Sequence, residues 1–185
     1  MQEYKWNARQ NNGKRKFYKS QNDDEYDDLI RWCGDRKFGL TLIETMPMGD
    51  VDSDRITNYL PLSTVRTNLQ KRWTMEGTND DTGGPARYVH VKEANIKLGF
   101  ITPMTHNFCE SCNRVRLTCT GKLYMCLGQN DSKDLSIPLR ASAQDKLLEE
   151  AIDEAIGRKP KGHNFLIEKM LTPAEGSRHM NVTGG

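Results

Sequence analysis

The stretch FCESCNRVRLTCTGKLYMC occupies residues 108–126 and carries four cysteines, namely Cys109, Cys112, Cys119 and Cys126. Two residues separate the first pair, and six residues lie between each later cysteine and the one before it. Two thiols on one turn can face a single metal centre, and a hairpin brings further sulfurs back toward it. Residues 115–119 and 122–126 have the composition of such a hairpin. The stretch therefore predicts a small metal-binding unit built on two short strands.

Two kinds of metal site fit this cysteine spacing. Four cysteine ligands would form a closed tetrahedral zinc site, whereas three would leave one position of an iron–sulfur cluster open for a ligand. Cys119 distinguishes the two, because alternate residues of a strand share a face and this would place Cys119 beside Val115 and Leu117. We predict that Cys119 is a buried thiol and not a ligand. The cysteine spacing alone supports a zinc ribbon and an iron–sulfur cluster almost equally.

A pair of arginines accompanies the cysteines. Arg114 and Arg116 are two residues apart at the start of the predicted strand, so we expect both side chains on one face beside Cys112. Paired guanidinium groups make bidentate contacts with phosphate or with a purine edge. An exposed basic pair without a ligand would look the same in the sequence, and the residues alone leave both interpretations open.

The composition of the whole chain limits the classes of function. Its 185 residues include 27 Lys and Arg and 25 Asp and Glu, giving a net charge of +2. So small a charge does not favour a nucleic-acid partner, and no apolar run approaches the roughly 18 residues that a membrane span needs. The basic N-terminal stretch lacks the apolar region of a secretory signal. We predict a cytoplasmic protein of bacterial type whose clustered cysteines bind metal rather than form disulfides.

Hydrophobic periodicity predicts the elements around the cysteine stretch. In chain order they are a helix from Asn22 to Gly34, a strand at 38–43, a helix capped by Ser63, strands at 86–91 and 98–102, the cysteine hairpin, and a helix from Ala143 to Gly157. Cys33 lies on the apolar face of the first helix and is predicted to be a buried core residue. Residues 1–20 show almost no periodicity, so we predict a poorly ordered basic lead-in there, and residues 129–134 are predicted to be a polar loop.

The residues from Phe108 to Leu127 also resemble the cluster region of the GTP 3′,8-cyclase family, whose pattern there is FCxxCNRxRLTxxGxLxxCL. Members of that family are radical S-adenosylmethionine enzymes that start molybdenum-cofactor biosynthesis by converting GTP to (8S)-3′,8-cyclo-7,8-dihydroguanosine 5′-triphosphate. The further family features are NDDE (22–25), IExMPMG (43–49), GGPARY (83–88), KPxGH (159–163) and a terminal Gly-Gly. The resemblance covers residues 21–185.

This resemblance implies a [4Fe-4S] cluster whose ligands are Cys109, Cys112 and Cys126. It also implies that the open iron of that cluster binds the guanine of GTP. The residues that the resemblance places at GTP are Arg114, Val115 and Arg116. A bound [4Fe-4S] cluster and GTP are therefore the expected cofactor and ligand of this chain.

The resemblance further implies a fold and two more site positions. Met46 falls where the family has a residue that lines the S-adenosylmethionine site, and Gly184 and Gly185 match a tail that reaches toward the active site. The implied fold is mixed, α+β or α/β. A remnant of the C-terminal end of a (β/α) radical-SAM barrel would occupy residues 21–50, and a small α+β domain that binds the cluster and GTP would occupy residues 51–185.

One departure from the family pattern concerns the radical source. The family cleaves S-adenosylmethionine on a cluster held by an N-terminal CxxxCxxC motif, whereas Cys33 is the only cysteine before Cys109 in this sequence. We expect no catalytic residue here beyond a role for the Gly184–Gly185 tail, and S-adenosylmethionine binding only when another chain supplies an N-terminal half.

The expected partners follow from that departure. They are a separate N-terminal radical-SAM chain or a full-length homologue, and a homodimer, because part of a barrel exposes a sheet edge. The alternative functions are a stand-alone iron–sulfur and GTP-binding module without turnover, a truncated remnant, and a structural zinc module.

Overall fold

The structure is a computed structural model that describes residues 5–7, 12–16, 18–46, 58–80, 82–106 and 108–163. The described residues divide into two compact units. The first contains those up to Met46 and those from 58 to 106, and the second contains those from Phe108 onward. None of the helices in these ranges is long and apolar enough to cross a membrane.

The first unit is built on a mixed sheet. Its strands are β1 (Lys5–Asn7), β2 (Asn12–Lys16), β3 (Gly39–Ile43), β4 (Met75–Gly77), β5 (Arg87–Val91) and β6 (Ile96–Ile101), and its helices are α1 (Tyr26–Asp35) and α2 (Leu62–Gln70). The strand order is β1-β2-β3-β6-β5-β4. The β2-β3 and β3-β6 pairs are parallel, and the other pairs are antiparallel. Such a mixed sheet with few helices agrees with the predicted α+β class.

The core of the first unit follows from the predicted periodicities. Helix α1 buries Leu29, Ile30 and Cys33 against the sheet, which confirms Cys33 as a core residue. Strand β3 is buried at three successive residues, as expected for a strand between parallel neighbours. Leu98 at the centre of β6 is completely buried. Burial on both faces of β3 and β6 therefore fixes the middle of the sheet.

A buried carboxylate fixes the loop positions at the end of β3. Glu44 is 1% exposed and immediately follows this strand. One carboxylate oxygen accepts hydrogen bonds from the Tyr59 hydroxyl at 3.0 Å, the Leu62 N–H at 3.2 Å and the Thr105 hydroxyl at 3.0 Å. The other accepts the N–H groups of Met104 at 2.8 Å and Thr105 at 3.0 Å. Five donors from two separate loops therefore satisfy one charge, which is the condition for burying a carboxylate without loss of stability.

The phenol next to this carboxylate responds to the same environment. Burial raises the pKa of Tyr59 well above its usual range, and the negative charge of Glu44 and the hydrogen bond to it raise that pKa further. Tyr59 is therefore protonated at neutral pH, as its hydrogen bond to Glu44 requires.

The second unit is smaller and contains the predicted hairpin. Its elements are β7 (Arg116–Leu117), β8 (Lys122–Tyr124), β9 (Ser132–Asp134), α3 (Ser136–Ala141) and α4 (Lys146–Gly157). The sheet order is β7-β8-β9, and both pairs are antiparallel. The core consists of Leu123, Met125, Leu135, Ala151 and Ala155. The predicted final helix is confirmed as α4, but two residues of its apolar stripe, Leu147 and Ile156, are exposed.

Two short elements of the second unit lie outside the predicted set. Residues 129–134 were predicted to be a polar loop, but Ser132–Asp134 pairs with β8. Polar side chains are compatible with this strand because it lies at the edge of a three-stranded sheet, where its residues are only partly buried. Helix α3 follows it, with the Asp134 carboxylate accepting the N–H of Ser136 at 2.9 Å.

The N-terminal residues differ from the predicted poorly ordered lead-in. Asn12–Lys16 forms β2 and pairs with β3. Its composition is tolerated because Arg15, the buried cation of the strand, forms an ion pair of 2.9 Å with Glu25, while Lys14 and Lys16 are exposed. A sequence rich in basic residues can therefore pair with the sheet when the inward charge has a partner.

Two boundaries also differ from the prediction. Helix α1 begins at Tyr26 with Glu25 at its N-cap position, and the predicted cap, Asn22, instead accepts the N–H of Tyr18 and donates to the Lys16 carbonyl. The domain boundary predicted near residue 50 does not separate the units, because β3 pairs with β6 and this joins residues 58–106 to 18–46.

We predict that Glu44→Gln lowers the free energy of unfolding by ~2 kcal/mol, because a carboxamide presents an N–H group to donors that need an acceptor. Urea unfolding followed by circular dichroism measures the change. Glu110→Gln, a change of the same type at an exposed position, is the control and should shift stability by less than ~0.5 kcal/mol. Equal midpoints for the two variants would contradict the assigned role of Glu44.

Candidate functional site

Three of the four clustered cysteines lie close together in the second unit. Cys109 and Cys112 share a turn in which the Cys112 N–H donates to the Cys109 carbonyl at 3.1 Å. Cys126 follows β8 after the buried Met125. Burial is the largest cause that raises the pKa of Cys109, and the charges of Cys126 and Cys112 raise that pKa further. Cys112 and Cys126 therefore both lie within electrostatic range of Cys109 in this unit.

The donor chemistry of this group fits an iron–sulfur cluster. All three thiols are half-buried and free of disulfide bonds, and three thiolates with one open position are a known way of holding such a cluster. In the ranges that the structure describes, no three His, Cys, Asp or Glu side chains are already arranged as a metal-binding group. The thiols are therefore the right donors, held near one another but not closed around a metal ion.

The segment after α4 contacts both parts of the cysteine group. The Lys159 ammonium donates to the Arg114 carbonyl at 2.8 Å and to the Met125 carbonyl at 2.5 Å. The main chain of His163 hydrogen-bonds to Cys109, and this bond and the Lys159 charge both act to lower the Cys109 pKa, against the larger effect of burial. Gln129 adds a 2.9 Å hydrogen bond from its side-chain amide to the Gly162 carbonyl. Residues 159–163 are therefore part of the site.

The sequence interpretation missed the role of this segment. It includes the KPxGH motif at 159–163 as a family feature, but the motif lies more than thirty residues beyond Cys126. The sequence signal for this role was Lys159 itself, two residues after the predicted end of the helix at Gly157. Pro160 follows it and prevents the helix from continuing. Only the tertiary structure shows that the lysine reaches the two cysteine segments.

Two arginines follow the cysteine turn in the chain. Arg116 is half-buried in β7 opposite Tyr124, and Arg114 is exposed just before that strand. The intervening Val115 is 42% exposed. Neither arginine forms an ion pair with any carboxylate in the described part of the chain. Neither positive charge is therefore neutralised by a carboxylate within the described ranges.

Cys119 does not occupy the predicted buried position. It is exposed, as are Val115 and Leu117, whereas Thr118 is buried. Val115, Leu117 and Cys119 do share a face, as predicted, but the prediction was wrong about which face is buried. Thr118, on the other face, is held in the turn, where its hydroxyl accepts the Lys122 N–H at 3.0 Å and its carbonyl accepts the Gly121 N–H at 3.0 Å.

The position of Cys119 still separates it from the other three cysteines. The groups that shift the pKa of Cys109 include Cys112, Cys126 and Lys159. Cys119 is not one of them and lies in the turn between β7 and β8. Cys119 therefore differs from the other three cysteines in lying in the hairpin turn and in being exposed, whereas they are half-buried.

A comparison with known protein families identifies the chain. The sequence profile described as Molybdenum Cofactor Synthesis C matches residues 38–165, which contain all of the site residues described above. The chain belongs to the Molybdenum Cofactor Synthesis C family. This confirms the resemblance inferred from the cysteine stretch.

Individual members of this family are also similar over most of the chain. The GTP 3′,8-cyclase of Mesorhizobium japonicum is 62% identical over 164 residues, which cover 89% of this chain and 50% of the relative. The enzymes of the same name from Rhizobium etli and Nitrobacter winogradskyi are 61% and 59% identical, over 89% and 90% of this chain and 47% and 48% of the relatives. The chain thus spans about half the length of the curated relatives it matches.

The remaining predicted site residues of this family member lie elsewhere. Met46 is half-buried in the first unit, two residues after the buried Glu44. Gly184 and Gly185 lie outside the described residues. The structure therefore groups the predicted cluster and GTP residues in one unit, and Met46 belongs to the other unit.

We predict that iodoacetamide at pH 8 modifies Cys119 at least ~10-fold faster than Cys33 in the folded protein. Cys33 is buried, and burial raises its pKa to about 11, so little reactive thiolate forms. Peptide mass spectrometry over a time course measures both rates, and full modification in 6 M guanidinium is the control. Comparable rates for the two thiols in the folded state would show that Cys119 is not exposed.

Proposed function

We propose that this chain is the [4Fe-4S]- and GTP-binding part of a GTP 3′,8-cyclase and acts in molybdenum-cofactor biosynthesis. The observation that carries the proposal is that Cys112 and Cys126 both act electrostatically on Cys109 within one unit, whose neighbouring Arg114 and Arg116 have no carboxylate partner among the described residues. Family membership and the names of the relatives support the same function. The proposed location is the cytoplasm, where free thiols such as these persist.

The three cysteines would hold the cluster. When bound, a [4Fe-4S] cluster supplies an iron with an open position that can take a nitrogen or oxygen of a purine. Cys109 and Cys112 would bind from one turn and Cys126 from the end of β8, so the ligands come from two segments that the sheet and α4 hold in place. Half-burial of the thiols limits access of water and oxidants to them.

The arginines would orient GTP on this surface. A guanidinium donates two parallel hydrogen bonds to a phosphate or to the acceptor edge of guanine. Arg116 is anchored in β7 and has less freedom than the exposed Arg114, so Arg116 would fix the position of the ligand and Arg114 would close on it. Val115 lies between them and would contact the same ligand.

The contribution to the reaction would be orientation. Forming the 3′,8 bond requires the ribose C3′ to lose hydrogen and meet C8 of the guanine within the same molecule, so holding ribose and base in one geometry removes much of the entropic barrier. Radical formation from S-adenosylmethionine would be carried out by the other half of the enzyme, through residues that this sequence does not contain. Met46 would contribute to that site, and the Gly184–Gly185 tail would reach the substrate, when the other half is supplied.

The first unit is proposed to be the remnant of the barrel end. The parallel β2-β3 and β3-β6 pairs, with α1 between β2 and β3, support this proposal because a (β/α) barrel is built from such units. The proposed partner is an N-terminal radical-SAM chain or a full-length homologue, and a homodimer stays a prediction.

We predict that anaerobic reconstitution gives about four iron and four sulfide per chain. Cys126→Ala should abolish iron uptake because it removes one of three ligands, and Cys119→Ala should retain it because Cys119 lies in the turn away from the group. Iron, sulfide and zinc analysis of the purified variants measures this. One equivalent of zinc without iron, or loss of iron in Cys119→Ala, would overturn the three-cysteine assignment in favour of a zinc site.

We predict that Arg114→Ala and Arg116→Ala each weaken GTP binding by about tenfold or more while iron content is unchanged, because each removes a charge-assisted contact. Calorimetry with GTP on the reconstituted protein measures the affinity. Arg140→Ala is the matched control, since Arg140 is an exposed arginine on α3 of the same unit. Equal affinity in all three variants would show that GTP does not bind at these arginines.

A further inference from the structure

The Lys159 side chain hydrogen-bonds to both cysteine-bearing segments. Its ammonium donates at 2.8 Å to the carbonyl of Arg114, two residues after Cys112, and also to the carbonyl of Met125, directly before Cys126. The first segment leads into β7 and the second follows β8, the two paired strands of the hairpin. One cation thus fixes the spacing between the two places from which the thiols project.

The environment of Lys159 differs from that of its basic neighbours. Arg158 pairs with Glu154 at 2.6 Å, and Lys133 is paired with that same carboxylate. Lys159 is half-buried and forms no ion pair with any carboxylate in the part of the chain that the structure describes. A partly desolvated cation held only by carbonyl dipoles is left with an uncompensated charge. The Lys159 charge acts on Cys109, so thiolates at the three cysteine positions would supply a counter-charge for it.

The position of Lys159 is set by the core of the second unit. Helix α4 packs Ala151 and Ala155 into that core, and Arg158 joins the end of the helix to Asp131 at 3.4 Å. The N–H of Lys159 itself donates to the Ile156 carbonyl at 3.0 Å, which closes the helix end. The ammonium therefore extends from a rigid backbone and is not a freely moving surface charge.

We propose that Lys159 is a positioning residue of the cysteine site, which clamps the turn of Cys109 and Cys112 to the strand end of Cys126 and offsets the negative charge of their thiolates. The charge role rests on the proposed function, because it requires the thiolates and cluster to be present. The clamp does not, because both hydrogen bonds are formed by the protein alone.

Hydrogen–deuterium exchange of the full chain without iron tests the clamp. In Lys159→Met, the amides of 108–119 and 120–128 should exchange about tenfold faster, because two charge-assisted hydrogen bonds that oppose local opening are lost. Lys161→Met is the control, an exposed lysine two residues away, and should leave both peptides unchanged. Lys159→Gln, which keeps one donor group, gives an intermediate rate and replaces the methionine variant should that variant not fold. Wild-type exchange rates in Lys159→Met and in Lys159→Gln would overturn the clamp.

Reconstituted protein tests the charge role with two readouts that do not depend on turnover. Lys159→Met should lose iron to a chelator about tenfold faster than wild type and shift the midpoint reduction potential to a more negative value, because a nearby cation favours the more negative, reduced state. Lys159→Arg should restore the potential but only partly restore the exchange rates, because guanidinium keeps the charge and changes the hydrogen-bond geometry.

The outcomes separate the two proposals. If wild type takes up no iron, the proposed function fails and the exchange rates alone decide the clamp. If wild type takes up iron and Lys159→Met matches it in iron retention and in potential, the charge role of Lys159 is wrong while the cluster assignment stands.

Discussion

A single buried carboxylate organises the described part of the first unit. Glu44 stands where the central strand β3 ends, and five donors from the loops around residues 59–62 and 104–105 converge on it. Without that charge, these loops would carry buried N–H groups with no acceptor at this position. The constraint also helps to join 58–106 to 18–46, since one loop that donates to Glu44 leads into α2 and the other follows β6, which pairs with β3. A boundary near residue 50 would have divided this arrangement.

In the second unit, a cation and not an anion links separate segments of the chain. Its core of five buried residues is small, and a core of this size supplies little rigidity by itself. Polar links add what the core lacks: Lys133 and Arg158 bind Glu154 and Asp131 around α4, and Lys159 binds two carbonyls across the hairpin. The cysteine segments are thus held by hydrogen bonds and ion pairs, which is consistent with thiols that are near one another before any metal is bound.

The sequence predicted the parts of the structure that depend on local pattern. The helical spacing of Tyr26, Leu29, Ile30 and Cys33 identified α1, and the hairpin around Gly121 was identified from its turn residues. The burial of Cys119 was predicted wrongly because the apolar residues Val115 and Leu117 lie on the exposed face of the strand, while Thr118 is buried and its hydroxyl is satisfied in the turn by the Lys122 N–H. Strand β2 was missed because its inward charge is balanced by Glu25, a partner ten residues away.

The candidate site could be predicted from the sequence where the cysteine spacing and the family pattern agree. It could not be predicted where a residue joins the site only through tertiary contacts. Cys109, Cys112 and Cys126 are recognisable from spacing and resemblance together, whereas the role of Lys159 depends on how α4 ends relative to β8. No periodicity in one segment encodes a contact between a side chain and a distant carbonyl. Such contacts form only when the packing of the unit brings together segments that are far apart in the sequence.

The cations around the cysteines differ in chemistry in a way that suits different tasks. A lysine ammonium is a compact point charge with three donors, so it can bridge two carbonyls that approach from different strands. A guanidinium is a planar fork whose donors point outward in parallel, which suits a flat purine edge or a phosphate better than two diverging carbonyls. Lys159 faces the protein and holds it together, while Arg114 and Arg116 have no carboxylate partner in the described ranges and can face a ligand. Exchanging the two cation types would therefore impair both tasks even though the net charge of +2 stayed the same.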